Sequence, residues 1–507
     1  MGNQPELSGP DLQQGIAATD VKEGQPVLGH AAGEAVLLTR VDGTCHAIGA
    51  VCSHYSGPLA EGLVVDGTVR CPWHHACFSL KTGAMLRTPA LNDLPCWRVE
   101  ELGGKVFVRG KVDRPASTPR KPKRAPESVG IVGAGAAGQV VAETLRREGY
   151  EGPITMFDPV GSEPVDRPNL SKDYLAGNAQ PEWIPLRGED WHGEHHVEMV
   201  RSDVAALDAR TRRLTMRDGT ARDFDAIVLA TGAEPIRLPL EGKGPPVLYL
   251  RTLADSDAII KAATGGATRV VVLGASFIGL EVAASLRARN LEVHVAAPEA
   301  RPLERVMGVE LGDFIRSLHE EKGVVFHLGR LAKSLDAGHV VLDDGSRVAA
   351  DFVVAGVGVR PRVQLAEAAG LRTDKGVVVD ERLMTSVPNV YAAGDIARWP
   401  DPHTGANIRV EHWVLAERHG QTVARNILGA AERFDGVPFF WSAHYDAIIN
   451  YVGHAERWDR TVVEGSPADR DCLVRYVAGD KELAVASIFR DRENLEAELK
   501  MEREVSF

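Results

Sequence analysis

Residues 128–147 read SVGIVGAGAAGQVVAETLRR, and residues 269–288 read RVVVLGASFIGLEVAASLRA. Each is a short apolar run, a glycine-rich turn and then an apolar-periodic stretch of helical length. Strand, tight turn and helix in that order open a doubly wound nucleotide-binding unit, so two such domains of related design are expected. In the first copy Gly133, Gly135, Ala136 and Gly138 make the turn. Glycine permits that turn and lets backbone N–H groups approach a pyrophosphate at the N-terminus of a helix expected from about Ala137 to Arg147. Asp158 lies 20 residues past Gly138, after the apolar run 154–157, where a ribose hydroxyl needs an acceptor.

The second copy departs from the first. Gly274, Ser276 and Gly279 occupy its turn, with serine in place of the middle glycine. The following run, 293–297, ends in Ala296-Ala297 rather than in an acid. Glu299 comes two residues late, and Arg301 follows, placed to contact a 2′-phosphate. NAD(H) and NADP(H) therefore both stay open, with a lean to NADH. Three further segments extend the pattern. Thr231-Gly232 follows the apolar run 226–229, and Gly358 lies in a second glycine-rich turn, Gly356-Val357-Gly358-Val359-Arg360-Pro361. Gly394-Asp395 puts a carboxylate directly after a strand and a glycine, suited to a ribityl hydroxyl.

Outward towards the N-terminus the pattern changes. Runs at 36–38, 45–48 and 105–108 alternate with glycine-containing turns, and residues 1–112 read as an all-β unit. Inside it Cys52-Ser53-His54 is followed, after sixteen intervening residues, by Cys71-Pro72-Trp73-His74. Two thiolates and two imidazoles from separate loops suit a [2Fe-2S] cluster whose irons differ, cysteines on one and histidines on the other. Structural zinc is the competing reading, although zinc pairs usually come as Cys-Cys and His-His rather than one of each per arm. His75, next to a ligand histidine, is expected to face solvent. Cys77, Cys45, Cys96 and Cys472 are expected as small buried hydrophobes. Residues 113–128, rich in proline and basic residues, read as a semi-extended linker. Beyond about Gly436, alternating runs at 471–477 and 484–488 mark a small α/β domain.

Bulk properties bound the rest. The 507 residues are too many for one domain, and 44% hydrophobic with 25% charged residues is an ordinary globular mix. A net charge of -12 argues against nucleic acid or an anionic membrane as partner. No apolar stretch is long enough to span a bilayer, no leader pattern opens the chain, and six cysteines form no disulfide scaffold. A cytoplasmic protein, monomer or homodimer, is expected.

The arms CSHYSGPLAEG and CPWHHACFSLKTG resemble the Rieske family. The remainder, in this order, resembles the FAD-dependent pyridine-nucleotide oxidoreductases of ferredoxin-reductase and apoptosis-inducing-factor type, and nearly the whole chain is similar to the apoptosis-inducing-factor-like proteins that carry a Rieske domain. The resemblance implies an FAD-binding domain over 129–240 and 367–436, an NAD(P)-binding domain over 241–366, and a C-terminal domain over 437–507. It places Arg167 and Lys172 in the family's flavin-contacting stretch, with Lys172 near the flavin N5 edge and Glu281 as its ion-pair partner. It also assigns Glu411, His412, Trp413 and Trp441 to the isoalloxazine and nicotinamide side. Val165 departs from the tyrosine usual before Asp-Arg-Pro. Residues 133–174 contain no cysteine, which speaks against thiol chemistry at the flavin. The implied activity is hydride transfer from NAD(P)H to FAD, then single electrons to the chain's own cluster and on to an external ferredoxin, cytochrome or oxygenase. The other readings are a reductase component of a ring-hydroxylating oxygenase system, and a redox-signalling protein with little turnover.

Overall fold

In a computed structural model the chain divides into two compact units, Met1–Lys121 with Arg490–Phe507, and Pro122–Phe489. Residues 7–112, 125–159 and 163–505 are described. Most of the expected linker, 113–124, lies outside them.

The first unit is built on two antiparallel sheets. One has six strands, running in space from Ile16–Ala17 through Lys105–Lys111, Cys96–Leu102, Thr44–Gly49 and Glu34–Val41 to Val27–Ala31. The other has four, Leu63–Val65, Thr68–Arg70, Cys77–Ser79 and Met85–Arg87, joined as successive hairpins. Leu37, Ile48, Val69 and Phe78 form a fully buried core that also encloses Cys52 and Cys71. The helix Asp491–Glu504, which the sequence boundary assigns to the C-terminal domain, groups with this unit.

The second unit contains two five-stranded parallel sheets. The first orders Val197–Val200, Ile154–Phe157, Val129–Val132, Ala226–Leu229 and Val390–Ala392, with Val129 opposite Ile154 and Ala226. The second orders Val247–Tyr249, Phe352–Ala355, Arg269–Leu273, Glu292–Ala297 and Val324–Leu328. Their central strands are buried on both faces, which is why they read as unbroken apolar runs. A five-stranded antiparallel sheet over 439–488 and several smaller sheets belong to the same unit. Cys77 and Cys472 are buried as expected, whereas Cys45 and Cys96 are only partly so; all six cysteines are free. Among the described residues no helix is long and apolar enough to cross a membrane.

Candidate redox centres

The two ligand arms fold alike. Cys52 N–H donates to the Gly57 carbonyl (2.9 Å) and Ser56 N–H donates back to the Cys52 carbonyl (3.0 Å). In the second arm Cys71 N–H donates to the Ala76 carbonyl (2.8 Å) and His75 N–H to the Cys71 carbonyl (3.1 Å). The fifth residue of each loop, Ser56 or His75, has φ near +60°. Gly57 has to be glycine for another reason: a Cβ there would stand 2.7 Å from Cys71 Sγ.

These knuckles bring like to like. The Cys52 and Cys71 thiols share a hydrogen bond, and His54 Nδ1 faces His74 Nδ1 at 3.1 Å. Burial holds the His54 pKa down at about 3, so its ring is neutral, the form that ligates iron. Among the described residues no three His, Cys, Asp or Glu side chains converge on one ion position. A structural zinc needs four ligands on one ion, whereas a Rieske cluster needs two sulfurs on one iron and two nitrogens on the other. The paired arrangement fits the cluster.

His75 corrects the sequence reading. It is fully buried, and its Nδ1 lies 3.0 Å from Glu498 on the helix Asp491–Glu504. Arg70, directly before Cys71, pairs with Glu498 (3.5 Å) and Glu502 (2.7 Å), and Arg87 with Glu502 (2.7 Å) and Glu498 (3.6 Å). Spacing of four along the helix puts the two acids on one face. No local pattern announces this, because Glu498 stands 423 residues from His75.

In the second unit Gly133 has φ +107°, and a Cβ there would stand 2.2 Å from the Ala230 carbonyl oxygen. At Gly138 it would stand 2.0 Å from the Gly133 carbonyl oxygen, so helix and strand can meet only without side chains. Gly135 caps the helix Ala136–Arg147, and the Arg167 guanidinium lies beside it, 3.2 Å from where a Cβ would be. Burial and the nearby Arg251 lower the Arg167 pKa to about 10. A partly buried guanidinium among other cations at a helix N-terminus is a fit for a pyrophosphate anion. Asp158 accepts from Ala134 N–H (3.0 Å), which ties the acid expected at the ribose to the turn. Asp395 pairs with Arg251 (2.7 Å), Thr231 donates to the Arg362 carbonyl (2.7 Å), and Gly232 and Gly394 both have positive φ. Gly133→Ala is expected to strain this turn by about 1–3 kcal/mol and to weaken FAD retention on gel filtration.

Lys172 Nζ lies 2.9 Å from Glu281 Oε2 and 5.8 Å from the Trp441 ring centre, so three of the residues drawn from family likeness come together. His412 packs against Phe440 with ring centres 4.3 Å apart, Glu411 is bonded by Arg409, and Trp413 packs on the apolar core. In the NAD(P) copy Gly274 has φ +105°, Gly358 has φ +106°, and a Cβ on Gly279 would stand 2.2 Å from the Gly274 carbonyl. Ser276 Oγ donates to the Gly356 carbonyl (3.0 Å), which gives the substituted serine a structural use. Glu299 lies past the strand end, its carbonyl accepting from Gly329 N–H (3.0 Å). Arg301 is held by Asp313 (2.8 Å) and Glu304 (3.3 Å), two carboxylates that would compete with a 2′-phosphate.

Three family models match: a Rieske [2Fe-2S] domain over residues 13–98, pyridine nucleotide-disulphide oxidoreductase over 127–420, and reductase C-terminal over 439–506. Human apoptosis-inducing factor 3 is 33% identical over 477 residues, 90% of this chain and 78% of that one. The ferredoxin–NAD(+) reductase component of the anthranilate 1,2-dioxygenase system of Burkholderia cepacia is 35% identical over 70% of this chain and 89% of its own. Among solved structures, a covalent putidaredoxin reductase–putidaredoxin complex superposes with a TM-score of 0.72 at 35% identity, covering 75% of this chain and 94% of that one.

Proposed function

We propose, from the premise that this chain belongs to the pyridine nucleotide-disulphide oxidoreductase family and carries a Rieske [2Fe-2S] domain ahead of it, that it passes electrons from NADH to its own cluster and on to an external acceptor. As a ferredoxin-reductase-type oxidoreductase it uses FAD and NAD(P)H. When bound, FAD supplies a ring that takes a hydride, and the cluster supplies a one-electron carrier. The observation that carries the proposal is the facing of thiol to thiol and imidazole to imidazole at two arms of a chain that also holds a full reductase.

The residues have separate tasks. Arg167 and the turn 133–138 hold the pyrophosphate, Asp158 and Asp395 accept sugar hydroxyls, and the Lys172–Glu281 pair fixes a cation at the flavin edge. Trp441 and His412 wall the nicotinamide side and exclude water. The turn around Gly274, Ser276 and Gly279 takes the donor, and the engagement of Arg301 by carboxylates supports NADH. Cys52 and Cys71 hold one iron, His54 and His74 the other. On mixing with excess NADH under anaerobic conditions, loss of flavin absorbance should precede loss of cluster absorbance. A cluster that stays oxidised would sink the internal relay.

A second reading takes the chain as the reductase component of a ring-hydroxylating oxygenase system, supported by its likeness to the anthranilate dioxygenase reductase. Reduction of a purified terminal oxygenase without added ferredoxin would favour it.

A further inference from the structure

Tyr55 follows His54 directly, and the two rings stack with centres 3.9 Å apart and planes 11° from parallel. Consecutive side chains of an extended chain point to opposite faces, so the stack depends on the tight loop from Cys52 to Gly57. The same ring stands perpendicular to His74, with centres 5.3 Å apart. One aromatic side chain thus packs on both imidazoles, which come from different arms and meet edge to face at 5.0 Å. Its backbone is tied to the other kind of ligand. The Cys52 sulfur accepts from the backbone N–H groups of His54 and Tyr55, as Cys71 does from those of Trp73 and His74. The sulfurs themselves are sealed in the apolar core, each 2% exposed, whereas Tyr55 is half-buried.

We propose that Tyr55 is a lid over the imidazole side of the cluster, which keeps water from the histidine-ligated iron and holds the cluster's potential down. The proposal rests on the assignment of Cys52, His54, Cys71 and His74 as the ligands.

The sign follows from charge. In the oxidised state two ferric ions, two sulfides, two thiolates and two neutral imidazoles carry no net charge together, and reduction adds one negative charge. The thiolates place their charge on one iron, so the added electron favours the other, the iron assigned to His54 and His74. Water there would stabilise that charge, and an apolar ring in its place does not. The face of an aromatic ring is the negative end of its quadrupole, so a ring stacked on His54 also opposes added electron density. Both effects disfavour the reduced form. A cluster held at lower potential is the stronger donor, which suits one that receives electrons within the chain and hands them to an external acceptor.

The test uses the full-length holoprotein with Tyr55→Ala and Tyr55→Phe, in redox titrations followed by EPR. Alanine opens the imidazole side. At a fixed potential its ratio of reduced to oxidised cluster should rise about tenfold, an upward shift of about 59 mV for one electron. Phenylalanine keeps the ring and loses only the hydroxyl, so its ratio should stay within about twofold of wild type. Pulsed EPR after exchange into D2O adds a readout that a merely structural role would not move. Deuterium coupling from water at the reduced cluster should be weak in wild type and Tyr55→Phe, and strong in Tyr55→Ala. An unchanged or lowered potential in Tyr55→Ala overturns the lid, and so does a phenylalanine shift as large as that of alanine. Should alanine lose its iron, the wild type decides: strong water coupling there overturns the lid, and its absence supports it. Failure of the ligand assignment looks different. Reduced wild type would then lack nitrogen coupling from two imidazoles in its EPR signal, and assignment and lid fall together.

Discussion

Cys71→Ser is expected to abolish iron retention by the N-terminal arms and, with it, the reduction of one-electron acceptors, while hydride-accepting dyes continue to be reduced by NADH. The reason lies in the pairing at the site. Cys71 is almost fully buried and shares its hydrogen bond with Cys52, so in the proposed assignment the two sulfurs would serve one iron together. Serine offers a hard oxygen that ionises far less readily than a thiol, and iron in such clusters is held by thiolates. Removing a residue that only supports a ligand typically costs 10–100-fold in metal affinity, so loss of a ligand should exceed about 100-fold. Iron by colorimetry, the visible spectrum and the two dye assays read the outcome. Retained one-electron activity in an iron-free variant would mean that acceptors draw from the flavin directly.

What was legible in the sequence follows the range of each interaction. The turn at Gly133–Gly138 is legible because its causes are local: a Cβ at Gly138 would meet a carbonyl only five residues earlier. The cluster arms are legible because each pair of ligands lies within four residues and the two loops repeat one hydrogen-bonding plan. His75 was not, since its surroundings come from Glu498 at the other end of the chain. A histidine beside a ligand, with φ +61°, looks like a strained surface residue until the acid that holds it is known. Lys172 and Glu281, 109 residues apart, were reached only through family likeness. Val165, a departure from the family, bridges to Pro185 and packs near Leu170, so apolar packing accounts for the residue that replaced the tyrosine.

The acid that explains His75 also gives the second large effect. Glu498→Ala is expected to destabilise the N-terminal unit by about 3–5 kcal/mol, because it leaves buried partners without the charge that compensates them. Arg70 is nearly buried, its side chain 7% exposed, and Glu498 not exposed at all, so water cannot take the place of the lost carboxylate. Glu502 accepts from both arginines as well, but at 18% exposure its loss is partly made good by solvent, and Glu502→Ala should cost less. A midpoint shift of roughly 15 °C follows for Glu498→Ala, read through the cluster absorbance in thermal unfolding of the full chain. Glu498→Gln separates charge from shape. It keeps the volume and an acceptor for His75 but cannot neutralise two guanidinium groups, so it should fall between wild type and alanine. The consequence reaches the ligands, since Arg70 adjoins Cys71 and His75 adjoins His74. A helix that no longer grips these two neighbours leaves the second arm loose, and iron should leave faster to a chelator in the same order: alanine, glutamine, wild type. A cost below about 1 kcal/mol would place Glu498 among ordinary surface ion pairs and remove the helix from any role at the cluster arms.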